Sequence, residues 1–262
     1  MRLPTIARMK PILVSGKPLA QGVLPAVCAP LVATDGAGLL AEAAAVAALG
    51  PDLLEWRVDF FEGIARTQDV VALVQEIRRS TGLPLLFTRR SAREGGQPTS
   101  LSEPQVVALY QAVCEQGRPE LVDFEMDSDP AHVAAVREAA HAHGLGLALS
   151  FHDFERTPSR ETIVGRFAQA QRLGGDVAKV AVMPRSMEDV VTLLGATQEA
   201  SASLAIPVVS MAMGPLGTIT RLGGGAFGSA LSFGKGEGAS APGQLPIADL
   251  RAGLAILARA GA

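Results

Sequence analysis

The chain is poor in several residue types, and each shortage excludes something. It has two cysteines, one tryptophan and one tyrosine in 262 residues. Cys28 and Cys114 stand far apart, with no CxxC and no Cys/His spacing. That pattern excludes a disulfide framework and a structural zinc site, and it suits a reducing, cytoplasmic setting. Aromatic residues make up only 4% of the chain, too few for recognition by base stacking. Basic residues number 23 against 26 acidic ones, for a net charge of −3, and they form no run. Nucleic acid and anionic membranes therefore have no electrostatic footprint to bind.

Long apolar runs are also missing. The N-terminal MRLPTIARMKPILVSGKP is too broken by charge and proline for a signal segment. The longest uncharged stretch, 200–220, carries Pro207, Pro215, Gly214 and Gly217 and reads as strand and loops, not as a membrane span.

What the sequence does have is rhythm. Eight short apolar runs begin near residues 26, 53, 83, 121, 146, 176, 207 and 228, for example AVCAPLVA, LPLLFTR and PVVSMAM. Between most of them lie stretches with helical spacing, such as TQDVVALVQEIRRSTG and PAHVAAVREAAHAHG, several opening on Ser, Thr or Asp and closing on glycine. IADLRAGLAILARAG would be the final helix. Strands that are apolar on both faces and alternate with helices call for a parallel sheet covered by helices. Eight such units match a (β/α)8 TIM barrel, in one domain over 1–262, better than an open doubly wound sheet. The leading PILVSGKPLAQGVLP reads as a β-hairpin about Ser15-Gly16, within an extension over 1–25 that closes the barrel bottom.

Polar residues inside apolar runs mark a site. Lys179, one of only four lysines, sits in the middle of DVAKVAVMP. A buried ammonium is costly to desolvate, which makes a neutral, nucleophilic amine accessible for Schiff-base chemistry. A lysine paired to a buried acid is the plainer alternative. In EWRVD, period-two alternation sends Glu55, Arg57 and Asp59 to the barrel interior and Leu54, Trp56 and Val58 to the helices. In SFHDFERTP, His152 and Asp153 fall at the end of strand five, where barrels build active sites. An imidazole there suits proton transfer. His132, His141 and His143 share one helical stretch and read as surface residues.

Two glycine-rich stretches remain. FTRRSAREGGQ sets Arg89, Arg90 and Arg93 beside Glu94 and Gly95-Gly96, as an anion-binding loop or a solvated turn. TRLGGGAFGSA contains GxGxxG at Gly223, Gly225 and Gly228, but not directly after a strand, so it is a weak dinucleotide signature. Arg221 beside it suits a carboxylate clamp. From the residues alone, a class I aldolase, a transaldolase and a dehydratase all fit.

The set EWRVD, FTRRSAREGG, SFHDF, KVAVMP, SMAMGPLGTITR and FGSALSFGKGEGASAPGQ, in this order from about Val27 to Arg251, closely resembles type I 3-dehydroquinate dehydratase. The resemblance implies a (β/α)8 barrel that converts 3-dehydroquinate to 3-dehydroshikimate and water. It implies no metal and no dissociable cofactor, a small-molecule substrate, and usually a homodimer. Lys179 would form the imine with the C3 ketone, His152 would act as general acid and base, and Glu55 would orient His152. Arg57, Arg90 and Arg221 match binding arginines, and Met213, Phe233, Ser240 and Gln244 match positions that line and close the pocket. Three positions depart from the commoner family pattern: Gly225, Arg89 and Pro30. The alternatives are another Schiff-base barrel enzyme, aldolase-like, or a non-catalytic paralogue that binds a small acid.

Overall fold

The computed structural model describes residues 9–19, 24–236 and 238–260; the remainder of the 1–25 extension lies outside them. A two-stranded antiparallel hairpin leads, β1 (Leu13–Val14) and β2 (Lys17–Pro18). It turns on Ser15 and Gly16 at φ 50° and 76°, the left-handed pair that a two-residue hairpin turn requires. Strands and helices then alternate: β3 (Ala26–Leu31), α1 (Gly36–Ala47), β4 (Leu53–Arg57), α2 (Thr67–Thr81), β5 (Leu85–Thr88), α3 (Glu103–Ala112), β6 (Leu121–Glu125) and α4 (Pro130–Ala142). The second half continues with β7 (Gly146–Asp153), α5 (Arg160–Arg172), β8 (Val177–Val182), α6 (Met187–Ser203), β9 (Val208–Ala212), α7 (Gly214–Gly223), β10 (Leu231–Lys235), a short β11 (Leu245–Pro246) and α8 (Ile247–Ala260).

The sheet is parallel, in the order β11-β10-β3-β4-β5-β6-β7-β8-β9. A parallel bridge from Val208 to Ser229, with the Ala230 amide donating to the Val208 carbonyl at 2.8 Å, brings β9 beside β10 and closes the barrel. Local sequence sets the helix ends. Asp35 and Ser159 cap α1 and α5, Ser186 and Asp189 form a capping box on α6, and Gly82 at φ 66° ends α2.

Strand alternation sorts the side chains into two cores. Outward residues such as Leu54, Trp56, Phe87, Val122 and Val180 pack under the helices in the larger cluster. Inward residues at the strand starts, including Leu53, Leu86, Leu121, Val177 and Val209, form the second, and Ile12 of the hairpin is buried among them. The hairpin thus closes the bottom, and the polar inward positions lie above this apolar floor.

Two expectations needed correction. The 200–220 stretch holds the end of α6, β9 and the start of α7, a helix hidden because it opens on Gly214-Pro215 and carries Gly217. Asp59 lies in a 3-10 turn, Val58–Phe60, past the end of β4. Gly223–Gly228 close α7 and turn into β10, in keeping with the weak dinucleotide signature read from the sequence. At Gly225 a Cβ would come within 2.6 Å of Pro25. Among the described residues no helix is long and apolar enough to cross a membrane.

Candidate active site

Lys179 projects from the middle of β8 into the barrel and is buried. Its Nζ donates to Asp123 Oδ2 at 2.8 Å and to Glu55 Oε1 at 3.3 Å, and lies 4.7 Å from the centre of the Phe233 ring. Glu55 also accepts from Thr88 Oγ1 at 3.0 Å. The lysine is therefore inward and paired to acids, as the plainer of the two sequence readings has it.

Asp123 is the hub. Its other oxygen accepts from Arg90 at 2.7 Å and from Ser150 Oγ at 2.6 Å. Arg90 also donates to Ser150 Oγ at 2.9 Å and reaches Glu125 at 3.3 Å. Burial works to raise the Asp123 pKa, but Arg90 and Lys179 outweigh it and hold the carboxyl well below the usual range. Burial opposes the Arg90 charge, and Asp123, Glu125 and Glu94 more than restore it. A buried cluster of this kind is stable only while its charges stay mutually satisfied.

His152, at the end of β7, has its Nδ1 2.8 Å from Glu94 Oε2, which also accepts the His152 amide at 3.0 Å. The resemblance assigned the orienting carboxylate to Glu55; Glu94 holds that place, and Glu55 serves Lys179 and Thr88. Burial, then the charges of Arg90 and Lys179, push the His152 pKa well below its ordinary value. Burial, opposed by Arg90 and reinforced by Glu125 and Asp123, pushes Glu94 up to about 8. The 91–96 loop is solvated in part: Ala92, Arg93 and Gly95 are exposed, whereas Glu94 is buried and Ser91 N–H donates to Glu125 at 2.6 Å. Gly95, at φ 80°, receives the Phe154 ring where a Cβ would sit, and Gly96 lies against the Arg90 carbonyl.

The mouth is covered by 240–244. Arg57 grips Asp59 through two 2.8 Å bonds and donates to the Ser240 carbonyl at 3.3 Å. Arg221 donates to the Pro242 carbonyl at 3.0 Å and to the Phe233 carbonyl at 3.4 Å, while its Nε has no partner among the described residues. Burial pushes the Arg221 pKa down to about 10. Ser240 and Gln244 bond each other within the cover, with the Gln244 amide donating to Ser240 Oγ at 3.1 Å. Met213 is buried at the end of β9. Arg90 spends its contacts on the chain's own acids. Arg89 faces outward to Glu103 at 3.0 Å, and Pro30 sits on β3 opposite Glu55. Asp153 turns its carboxylate back to the amides of Glu155 and Arg156.

Asp123, Glu125 and Ser150 were overlooked in the sequence, although LVDFEM alternates in the same manner as EWRVD and carried the same signal. Among the described residues, no group of three His, Cys, Asp or Glu side chains could hold a metal ion.

A parallel barrel with a buried amine, a histidine–carboxylate pair and arginines gathered at the carboxyl ends of its strands defines an enzyme of the (β/α)8 class. A family model described as type I 3-dehydroquinase matches residues 27–260. The 3-dehydroquinate dehydratase of Albidiferax ferrireducens is 52% identical over 96% of both chains. The crystal structure of 3-dehydroquinate dehydratase from Geobacillus kaustophilus superposes with a TM-score of 0.92 at 46% identity, covering 97% of this chain and 98% of that one. A type I 3-dehydroquinate dehydratase from Clostridium difficile, solved with covalently modified comenic acid, gives 0.90 at 34% identity, covering 96% and 98%. The chain belongs to the type I 3-dehydroquinase family.

Proposed function

We propose that this enzyme dehydrates 3-dehydroquinate to 3-dehydroshikimate through a covalent imine on Lys179. The observation that carries the reading is the buried Lys179 amine, bonded to Asp123 and Glu55, on the strand next to the one that ends in the His152–Glu94 pair. The Lys179 nitrogen adds to the C3 carbonyl carbon, and the carbonyl oxygen leaves as water. The protonated imine draws electrons from C2, and His152 Nε2 takes the C2 proton. The electron pair moves on to expel the C1 hydroxyl, which leaves as water with a proton from His152. Hydrolysis of the imine then frees the product and the lysine.

Glu94 holds Nδ1, so Nε2 is the nitrogen offered to substrate. Arg221, with its unpartnered Nε, suits the substrate carboxylate; Arg57 joins it once the loop carbonyls are released. Closure of 240–244 over Phe233 and Met213 excludes water from the reacting imine. The covalently modified ligand in the Clostridium difficile relative supports a covalent route. The same chemistry serves aromatic biosynthesis and quinate breakdown, and a cytoplasmic homodimer is the expected form.

Borohydride reduction in the presence of 3-dehydroquinate tests the reading. A stable mass adduct on the peptide containing Lys179, absent in Lys179→Ala, is the expected result. Turnover by Lys179→Ala would overturn the covalent route, and a folded wild type that binds ligand without an adduct would bring the binding-protein alternative forward.

A further inference from the structure

The chain's only tyrosine is fully buried on α3, outside the barrel wall. Its ring meets Phe87 of β5 and Phe124 of β6 edge-on, with centroids 5.3 and 5.1 Å away. Its hydroxyl donates to the Asp123 carbonyl at 2.6 Å and accepts from the Arg89 amide at 2.8 Å. These are the two groups that a continued ladder would join to each other. The β5–β6 register ends at Thr88 opposite Asp123, whereas β6 stays paired with β7 as far as Glu125. One phenolic oxygen thus stands in the ladder where the strands part. On the barrel side of the same peptides, Arg90 and Asp123 meet at 2.7 Å, and Asp123 presents its other oxygen to Lys179 at 2.8 Å.

We infer that Tyr110 is a positioning residue for the reaction: its hydroxyl, wedged between β5 and β6 behind the site, sets the separation at which Arg90 and Asp123 meet and so where Asp123 holds Lys179. The inference deepens the imine reading above and rests on it. Burial raises the phenol pKa, so the hydroxyl keeps the proton that it needs in order to donate and accept at once. The phenol touches no reacting atom; it acts through Asp123.

Tyr110→Phe keeps the ring between Phe87 and Phe124 and deletes only the wedge. A displacement of Asp123 on the ångström scale should lower kcat by about ten- to a hundredfold, slow the appearance of the borohydride-trapped Lys179 adduct in parallel, and leave KM nearly unchanged. Thr197→Val is the control for plain destabilisation. It removes a buried 2.7 Å hydroxyl bond to Ser210 behind β9, and it should lose stability while keeping kcat. Wild-type kcat in Tyr110→Phe, or a loss matched by Thr197→Val, would overturn the inference.

If Tyr110→Phe fails to fold, growth on 3,5-difluorotyrosine alters position 110 alone, since there is no other tyrosine. Fluorination keeps the hydroxyl but weakens it as an acceptor for the Arg89 amide. A lowered kcat at constant KM supports the wedge, and an unchanged kcat refutes it. Wild-type turnover and adduct, measured in the same assay, separate this failure from failure of the imine reading.

Discussion

His152 and Glu94 are joined twice: the carboxylate oxygen that faces the imidazole Nδ1 at 2.8 Å also takes the His152 backbone amide at 3.0 Å. The histidine therefore cannot rotate without losing a bond to its own main chain's partner. Burial depresses the imidazole and raises the carboxyl to about 8, so the pair keeps one titratable proton through neutral pH.

That shared proton must leave before Nε2 can accept one from substrate. The expected kcat/KM of the wild type rises with pH and levels off above about 8. In Glu94→Gln the rising limb should move to lower pH, and kcat should fall by roughly a hundredfold. Glu55→Gln should leave the limb in place, because Glu55 bonds Lys179 and Thr88. A pH–rate profile of the three proteins checks this. A limb that moves with Glu55 and not with Glu94 would return the orienting role to Glu55.

The same pair shapes stability. Glu94, raised from 4.5 to about 8, contributes stability that is lost as pH rises through the upper value. His152, lowered from 6.5, contributes stability that is lost as pH falls below that value. Below 6.5 the two slopes oppose each other, so the alkaline loss carried by Glu94 stands alone above that pH. Denaturant titrations should show a loss on the order of 1–2 kcal/mol between pH 6.5 and 8. In Glu94→Gln this alkaline loss should vanish.

Gly96 and Gly165 should respond oppositely to alanine. At Gly96 the new Cβ would lie 2.0 Å from the Arg90 carbonyl oxygen, so the turn carrying Glu94 must shift, at a cost of about 3 kcal/mol or more. At Gly165, exposed on α5, a Cβ meets nothing within 4 Å and should add up to about 1 kcal/mol through helix propensity. Melting curves of the two variants distinguish a steric constraint from an indifferent glycine.

Both thiols should be silent in the native enzyme. Burial pushes Cys114 up to about 12 and Cys28, in the barrel interior near Glu55 and Lys179, well above its ordinary value. Thiol-specific reagents should label neither until denaturant is added, and activity should survive the treatment. Rapid native labelling with loss of turnover would show that the barrel interior opens.

The alternation of apolar runs and amphipathic stretches was enough to read a barrel, and Lys179 and His152 were legible because each breaks an apolar pattern. Helix α7 was not, since Gly214, Pro215 and Gly217 are all residues of low helix propensity and only its packing against β9 decides the matter. Glu94 was visible but not its partner, because the pairing spans 58 positions and depends on how a loop folds back over the mouth. The alternation in LVDFEM marks Asp123 as an inward polar residue, but its meeting with Arg90 and Ser150 across strands depends on tertiary packing, which no local pattern encodes.

Trp56, Phe87 and Tyr110 form an edge-to-face row behind the site, with successive centroids 5.8 and 5.3 Å apart. Trp56 is the only tryptophan, as Tyr110 is the only tyrosine. Resonance energy transfer between them has a single donor and a single acceptor. Excited at the tyrosine and read at the tryptophan, the unlabelled enzyme reports one distance, from helix α3 to strand β4, throughout folding and turnover.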